Sequence, residues 1–424
     1  MSDALAPNAR LIQALDRTAL VSVLVSPLLL MHAHGVAEAA FAAADVCLIL
    51  RSITTGDWAW TRAGWMRLSA VWWAWLVICS LPLGLAGGSL PATAQSLATI
   101  RFPLFTAAMV FVVLRDPTAR RWMQGINTAS VLYIATHLVF QFLFGVNLYG
   151  IPAAWGVLLT GPFATARAAP VMARIMLPAL IPAACRLLAQ TGSRQLWAYA
   201  LLAAGIGVMA IAGQRIPILL VVAGMTVSAF LLRRLRPMVL AAAVLGAVLI
   251  PGFAVLSPAT YQHLVVKTQR QLAEFATGSY GAMYARALEI GLQNPVTGLG
   301  YDGFGLGCPQ PRYFRPSFDG TVADGGGASM CWVHPHNFYF QALAEAGLPG
   351  LVLFSTLGVA LLLPLARGLR QTPNPLWAAL FATILVQLWP LQSTSSWWSM
   401  PMGGWFYLLL GWALAEAKWR ESKA

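Results

Sequence analysis

Charge is scarce in this chain of 424 residues. Lys, Arg, Asp and Glu together make up 10% of it, where an ordinary soluble domain carries about a quarter, so most of its surface is not built to face water. The acids Glu274, Glu289, Asp302, Asp319, Asp324 and Glu345 are dispersed, with no Asp-x-Asp pair among them. That argues against the clustered carboxylates of a metal-dependent sugar-transfer site. Five cysteines are too few and too scattered for a disulfide framework. Cys47, Cys79 and Cys185 fall inside apolar runs, where a small buried thiol is the default. There is no P-loop, internal repeat, coiled-coil heptad or low-complexity tail. Gly298-Leu299-Gly300-Tyr301-Asp302-Gly303 fits G-x-G-x-x-G, but no strand precedes it, so it is not a dinucleotide site.

What is abundant is apolar. The hydrophobic fraction is 58%, gathered into runs of about 16 to 22 residues, the length that crosses a bilayer as a helix. The net charge of +13 does not signal nucleic acid, because the basic residues sit in short clusters between these runs, as topogenic charge does. Hydropathy predicts an all-α polytopic membrane protein, one transmembrane domain over 1–424. About twelve spans fall near 18–33, 35–51, 67–86, 93–114, 122–144, 169–189, 195–213, 216–232, 238–256, 341–366, 374–390 and 403–417. The N-terminus is read as uncleaved, although Arg10 and Arg17 before an apolar stretch and the small residues from Val36 to Ala40 also fit a signal peptide.

With the N-terminus inside, every inner segment carries at least two basic residues, eighteen of the 27 in all. The other nine, Arg101, Arg167, Arg174, Arg215, Lys267, Arg270, Arg286, Arg312 and Arg315, lie outside or in the outer half of a span, against the positive-inside tendency. An anionic ligand on the outer side is the simplest reason for them. One long polar insertion, 257–335, separates the ninth and tenth spans on that side. Loops of this length tend to be functional. It opens with helical patterns (Leu264, Val265, Thr268, Leu272, Phe275, then Met283 to Leu292) and turns Gly-rich toward His336.

Several residues carry chemistry. His336, in His334-Pro335-His336-Asn337, stands where the loop meets the next helix. It fits a general base, since imidazole accepts a proton near neutrality, and it fits equally a helix cap or headgroup contact shared with His334 and Asn337. Gln214 and Arg215 mark an outer turn between two spans, with Pro217 opening the second. Arg215 offers a donor fork suited to phosphate, or it snorkels to lipid headgroups. Arg286 pairs locally with Glu289 at i+3 or serves a ligand. Cys308 and Cys331, alone in a polar segment, are either two free thiols or a bridge worth about 3 kcal/mol. Trp72, Trp73, Trp75, Trp397, Trp398 and Trp405 read as an interfacial belt.

Four segments in order resemble the bacterial O-antigen ligases, within the O-antigen ligase and polymerase superfamily. They are Leu159-Thr160-Gly161-Pro162-Phe163, Gly213-Gln214-Arg215, the Arg286-to-Gly300 stretch ending Asn-Pro-x-x-Gly-x-Gly, and His336-Asn337 followed by Glu345-Ala346-Gly347. The resemblance implies a GT-C-like glycosyltransferase in a Gram-negative inner membrane, its active site and the 257–335 loop in the periplasm. It implies no cofactor. Its donor would be an undecaprenyl-pyrophosphate-linked O-antigen, its acceptor lipid A-core, its surroundings membrane lipid. His336 would activate the acceptor hydroxyl while Arg215 and Arg286 hold the pyrophosphate; Gln214, His334, Asn337, Arg167, Arg174 and Arg312 would complete the substrate site. The sequence departs from the family at Ala164 to Ala169, where a polar, Asn-containing segment is expected. A polymerase or a protein O-oligosaccharyltransferase are the nearest alternatives, and a lipid-linked glycan flippase is the rival of another class.

Overall fold

The computed structural model describes residues 7–82, 88–256, 258–275, 278–316, 320–367, 369, 374–390 and 396–421. Among these residues the regular structure is helical, with two isolated β-bridges as the only strand-like pairing. In chain order the α-helices are α1 (Pro7–His32), α2 (His34–Thr55), α3 (Gly64–Ser80), α4 (Leu90–Ala98), α5 (Arg101–Phe111), α6 (Pro117–Phe144), α7 (Ala168–Leu188), α8 (Arg194–Ile211), α9 (Arg215–Leu231) and α10 (Arg236–Leu256). They continue as α11 (Pro258–Tyr261), α12 (Lys267–Ala273), α13 (Ser279–Gln293), α14 (Gly303–Gly307), α15 (Phe338–Arg367), α16 (Pro375–Gln387) and α17 (Met402–Glu421).

Six helical units, Asn8–His32, Leu90–Arg115, Pro117–Phe144, Ala168–Leu188, Arg194–Ile211 and Phe338–Arg367, are long and apolar enough to cross a membrane, and Arg215–Leu231 and Pro375–Gln387 are shorter apolar helices. Among the described residues each of the twelve apolar segments read from the sequence falls on helix, except that the 93–114 segment is two helices and the 341–366 segment is broken at Gly347; residues 83–86 of the 67–86 segment lie outside the described residues. α4 ends at Ala98, and α5 restarts at Arg101. Local signals set the other boundaries. Asp116 caps α6 by accepting from Thr118 N at 2.8 Å, with Pro117 in its first turn. Asn374 caps α16 in the same way.

α7 sits at the centre, packed on α6, α8, α9 and α16, and fifteen of its residues are buried. That is why it reads as apolar on all sides. α17 lies along α5, and α15 along α3 and α13. At one end of the bundle Arg51 donates to Asp16 at 2.8 Å, tying α2 to α1. Nearby elements hold a buried pair, Arg120 with Glu416 at 3.5 Å, where Arg120 also donates to Leu114 O at 2.7 Å.

The tryptophans do not form the expected belt. Trp72, Trp397, Trp398 and Trp405 are all buried. Trp397 meets Phe338, Phe354 and Phe406 with ring centroids 4.6 to 4.8 Å apart, and Trp72 stacks on Trp398. Hydropathy cannot separate an interfacial tryptophan from one in an aromatic core, because both occur at the ends of apolar runs.

Candidate active site

The frame of the site is a break in α15. At Gly347 the backbone turns to φ 67°, ψ −165°, a combination essentially confined to glycine, which frees the carbonyls and amides of the turn around it. The Asn294-Pro295-x-x-Gly298-x-Gly300 segment lies against that break. Leu299 N donates to Ala344 O at 2.9 Å, Gly300 N to Glu345 O at 3.0 Å and Leu348 N to Pro295 O at 2.8 Å. A Cβ on Gly298 would come within 2.5 Å of Ala344 O, so the glycine serves backbone approach. Trp75 Nε1 donates to Ala346 O at 2.9 Å and Tyr301 N to Ser80 Oγ at 2.9 Å, seating the loop on α3. Burial raises the Asp302 carboxyl above the usual range in this turn.

α13 then delivers two tyrosines from one face, since Tyr280 and Tyr284 are four residues apart. Tyr284 stacks on Phe340 at 4.7 Å and hydrogen-bonds Asn337; burial and Tyr280 push its hydroxyl up to about 12. With Tyr284 locked to the first turn of α15, Tyr280 comes edge-on to His336, ring centroids 5.8 Å apart, and within electrostatic reach of Arg215. Tyr280 therefore lies near both residues that the sequence singled out most strongly, one opening α9 and the other in the loop just before α15.

His336 is half-buried and holds a left-handed backbone, φ 55°, a region costly for most residues yet tolerated several-fold better by His. His334 and Trp332 face its ring at 4.6 and 6.1 Å. Burial first, then the adjacent His336, hold the His334 imidazole down at about 4. It is neutral at pH 7, and its Nε2 is buried without a partner among the described residues. Arg215 is the first residue of α9, and its Nη1 donates to Thr268 Oγ1 at 3.3 Å. No side chain caps this helix start, so its first amides and its dipole point the same way as the guanidinium's charge requires of an anion.

Other predicted site residues stand elsewhere. Arg286 is buried, donating to the carbonyl oxygens of Cys308, Asp324 (3.1 Å) and Gly327 (3.4 Å), with Phe314 stacked 4.0 Å from its guanidinium. Its donors tie the loop together rather than meeting a ligand, and it does not pair with Glu289. That carboxylate is taken by Arg315 and Gln293. The sequence missed this because the carbonyl partners are set by turns far along the chain. Cys308 and Cys331 are joined in a disulfide, so Arg286 and the bridge clamp the same strand of loop five residues before His336. Asn337 is an N-cap, its Oδ1 accepting from Tyr339 N at 2.9 Å and Phe340 N at 3.2 Å while its Nδ2 donates to Pro390 O at 2.6 Å; both ends of the amide are thus engaged by the fold. Arg312 is exposed over Tyr313, 4.6 Å from its ring.

The segment from Asn147 to Arg167 folds over the end of α6, held by buried amides. Gln141 Oε1 accepts from Thr160 N at 2.8 Å and Gly161 N at 3.1 Å, while Asn147 Oδ1 accepts from Tyr149 N and Ile151 N, both at 2.9 Å. Gln214 Nε2 donates to Ala166 O at 2.6 Å, so it joins this segment to the Arg215 turn and sets Arg167 at the start of α7. Arg174, two turns deeper, is buried and donates to Pro170 O at 2.8 Å. Among the described residues no three His, Cys, Asp or Glu side chains gather so as to hold a metal ion.

No curated protein matches the chain. Residues 199–355, however, match the Wzy_C family model, described as O-antigen ligase, a stretch that contains Arg215, Tyr280, Arg286, the Asn-Pro-x-x-Gly-x-Gly turn, His334 and His336. Over that stretch the chain is similar to the O-antigen ligase family.

Proposed function

We propose that this protein is an O-antigen ligase, moving a glycan from undecaprenyl pyrophosphate to a sugar hydroxyl of lipid A-core at the periplasmic face of a Gram-negative inner membrane, through about twelve spans and a GT-C-like plan. The observation that carries the reading is that Tyr280 stands edge-on to His336 and within electrostatic reach of Arg215, the residue that opens α9. His336 takes the proton of the acceptor hydroxyl as its oxygen attacks the anomeric carbon, forming one C–O bond. The bond from that carbon to the pyrophosphate oxygen breaks, and undecaprenyl pyrophosphate leaves. Direct displacement inverts the anomeric centre. Arg215 and the amides opening α9 stabilise the charge that builds on the leaving diphosphate. His334, neutral beside His336, leaves that imidazole as the proton acceptor. Arg286 serves the pyrophosphate at one remove, as a positioning residue that fixes the loop carrying His336. The donor arrives already bearing a good leaving group, so arginine and a helix dipole suffice without a metal.

The test incubates purified protein, carrier-linked glycan and lipid A-core with EDTA. Glycan on lipid A-core with wild type, and loss of about 10²-fold or more with His336→Ala, supports the ligase and its base. Longer carrier-linked chains point to a polymerase instead, unchanged transfer by His336→Ala removes the base, and the same anomeric configuration in donor and product refutes direct displacement.

A further inference from the structure

Trp332 stands beside the proposed base and has no part in the mechanism above. Its indole meets the His336 imidazole with ring centroids 6.1 Å apart and planes at 62°, its only ring contact among the described residues, and it is 58% exposed. The backbone on both sides of this exposed ring is held. Before it, Cys331 is bridged to the buried Cys308, and Cys331 N donates to Ala328 O at 3.2 Å. After it, the Val333 carbonyl lies against α14, where a Cβ on Gly305 would come within 3.1 Å of Val333 O, and Nε2 of His334 is buried. A large aromatic side chain left open on a fixed stretch of backbone is arranged in advance for a partner, because less freedom remains to be lost when the partner binds.

We propose that Trp332 is the platform on which the acceptor sugar stacks, the pyranose ring that bears the attacking hydroxyl. This rests on the reading of His336 as the base of a glycan transfer. A general base takes its proton across about 3 Å, so the acceptor sugar lies against the imidazole, and an exposed ring centred 6.1 Å from that imidazole borders the sugar. The C–H bonds on one side of a pyranose carry slight positive charge and meet the negative face of an aromatic ring, while the hydroxyls at its rim stay free for His336. The sugar is the acceptor's and not the donor's. Direct displacement sets the attacking oxygen and the leaving diphosphate in line through the anomeric carbon, so the base and whatever borders it lie on the acceptor's side of that carbon. Cys308 and Cys331 acquire a second use in this arrangement, since their bridge fixes the platform as well as the loop that carries the base.

The experiment uses the full-length protein in detergent and measures steady-state transfer to lipid A-core, together with binding of two lipid-free sugars, core oligosaccharide and O-antigen repeat oligosaccharide, in the absence of donor. Trp332→Ala weakens core oligosaccharide binding and raises the acceptor KM by about tenfold, with kcat kept within about twofold and donor KM unchanged. Trp332→Phe recovers most of the loss. A fall in kcat at unchanged acceptor KM makes Trp332 a support for His336 alone, and a rise in donor KM moves the ring to the donor; either overturns the platform. Trp155, 83% exposed in the other outer segment, is the control for a general effect of tryptophan at the membrane surface. An equal rise in acceptor KM for Trp155→Ala assigns the effect to the interface and overturns the platform too. The two sugars separate this claim from the ligase reading. Wild type that binds the repeat through Trp332, ignores the core and lengthens carrier-linked chains sinks the ligase and leaves the platform, whereas transfer to lipid A-core with the same acceptor KM in wild type and Trp332→Ala sinks the platform and leaves the ligase.

Discussion

Replacing Gly347 with Ala tests whether the break in α15 is what builds the site. The backbone at φ 67°, ψ −165° costs an L-residue about 1 to 3 kcal/mol. The added methyl would sit 2.5 Å from Val296 O and 2.6 Å from Pro295 O. Both are backbone atoms of the segment clamped on the break, so neither swings aside, and overpacking of this kind costs about 1 to 3 kcal/mol. Pushing Pro295 away also strains the bond it accepts from Leu348 N, worth about 1 kcal/mol. Together these give about 3 to 7 kcal/mol, enough to lower the midpoint of thermal unfolding in detergent by several degrees and to release the Gly298–Gly300 turn from Ala344 and Glu345. Transfer activity falls with it, since the first half of α15 carries Asn337 and orders His336. Gly207→Ala is the control: it lies in α8 with open space around its Cβ position and an ordinary φ, and there Ala gains up to about 1 kcal/mol. If Gly347→Ala melts within about 1 °C of wild type and transfers normally, the close approach of backbone to backbone is not what shapes the site, and the reasoning fails.

Removing the Arg286 guanidinium leaves three carbonyls without their donor, those of Cys308 and Gly327 buried, so Arg286→Ala costs about 2 to 4 kcal/mol and lowers kcat with little change in donor KM; a pure KM effect would return Arg286 to the ligand. Breaking the Cys308–Cys331 bridge with Cys308→Ser removes a crosslink of sequence separation 23, worth about 3 kcal/mol, and faster proteolysis within the 308–331 loop than in wild type is the readout. Tyr280→Ala lowers transfer more than Tyr280→Phe if the ring orders His336, and equally if the hydroxyl does. For His334, the folded imidazole titrates near 4 against an ordinary 6.5, so the unfolded chain binds the extra proton between those values. Its contribution to stability is complete above about pH 6.5 and falls as pH drops toward 4. His334→Gln flattens that part of the unfolding midpoint against pH, and an unchanged profile would contradict the burial of the neutral ring.

How much was legible in the sequence depended on whether a residue's partner was its near neighbour or a stranger. The span positions needed only runs of apolar side chains, and the turn at Gln214–Arg215 needed only a polar pair in an apolar run too long for one helix. The structure starts α9 at Arg215 accordingly. Arg286 failed this test, because an arginine in a helix reads the same whether its fork faces phosphate or three carbonyls contributed by residues 308, 324 and 327. Asn337 was readable either as cap or as ligand, and only the position of Pro390 O and of the amides of Tyr339 and Phe340 decides it. Tyr280 was missed outright. Its spacing to Tyr284 puts both on one helical face, a visible signal, yet nothing local says that the face turns toward His336 rather than into lipid. The same holds for Gln141 and Asn147, two amides in apolar surroundings, where an unpaired buried amide would be too costly to keep. Amides of that kind mark the places where a membrane fold ties irregular backbone down, and here they fix the segment that leads through Arg167 into α7. A search for uncharged polar residues inside apolar runs would have found that tied-down segment before any arginine did.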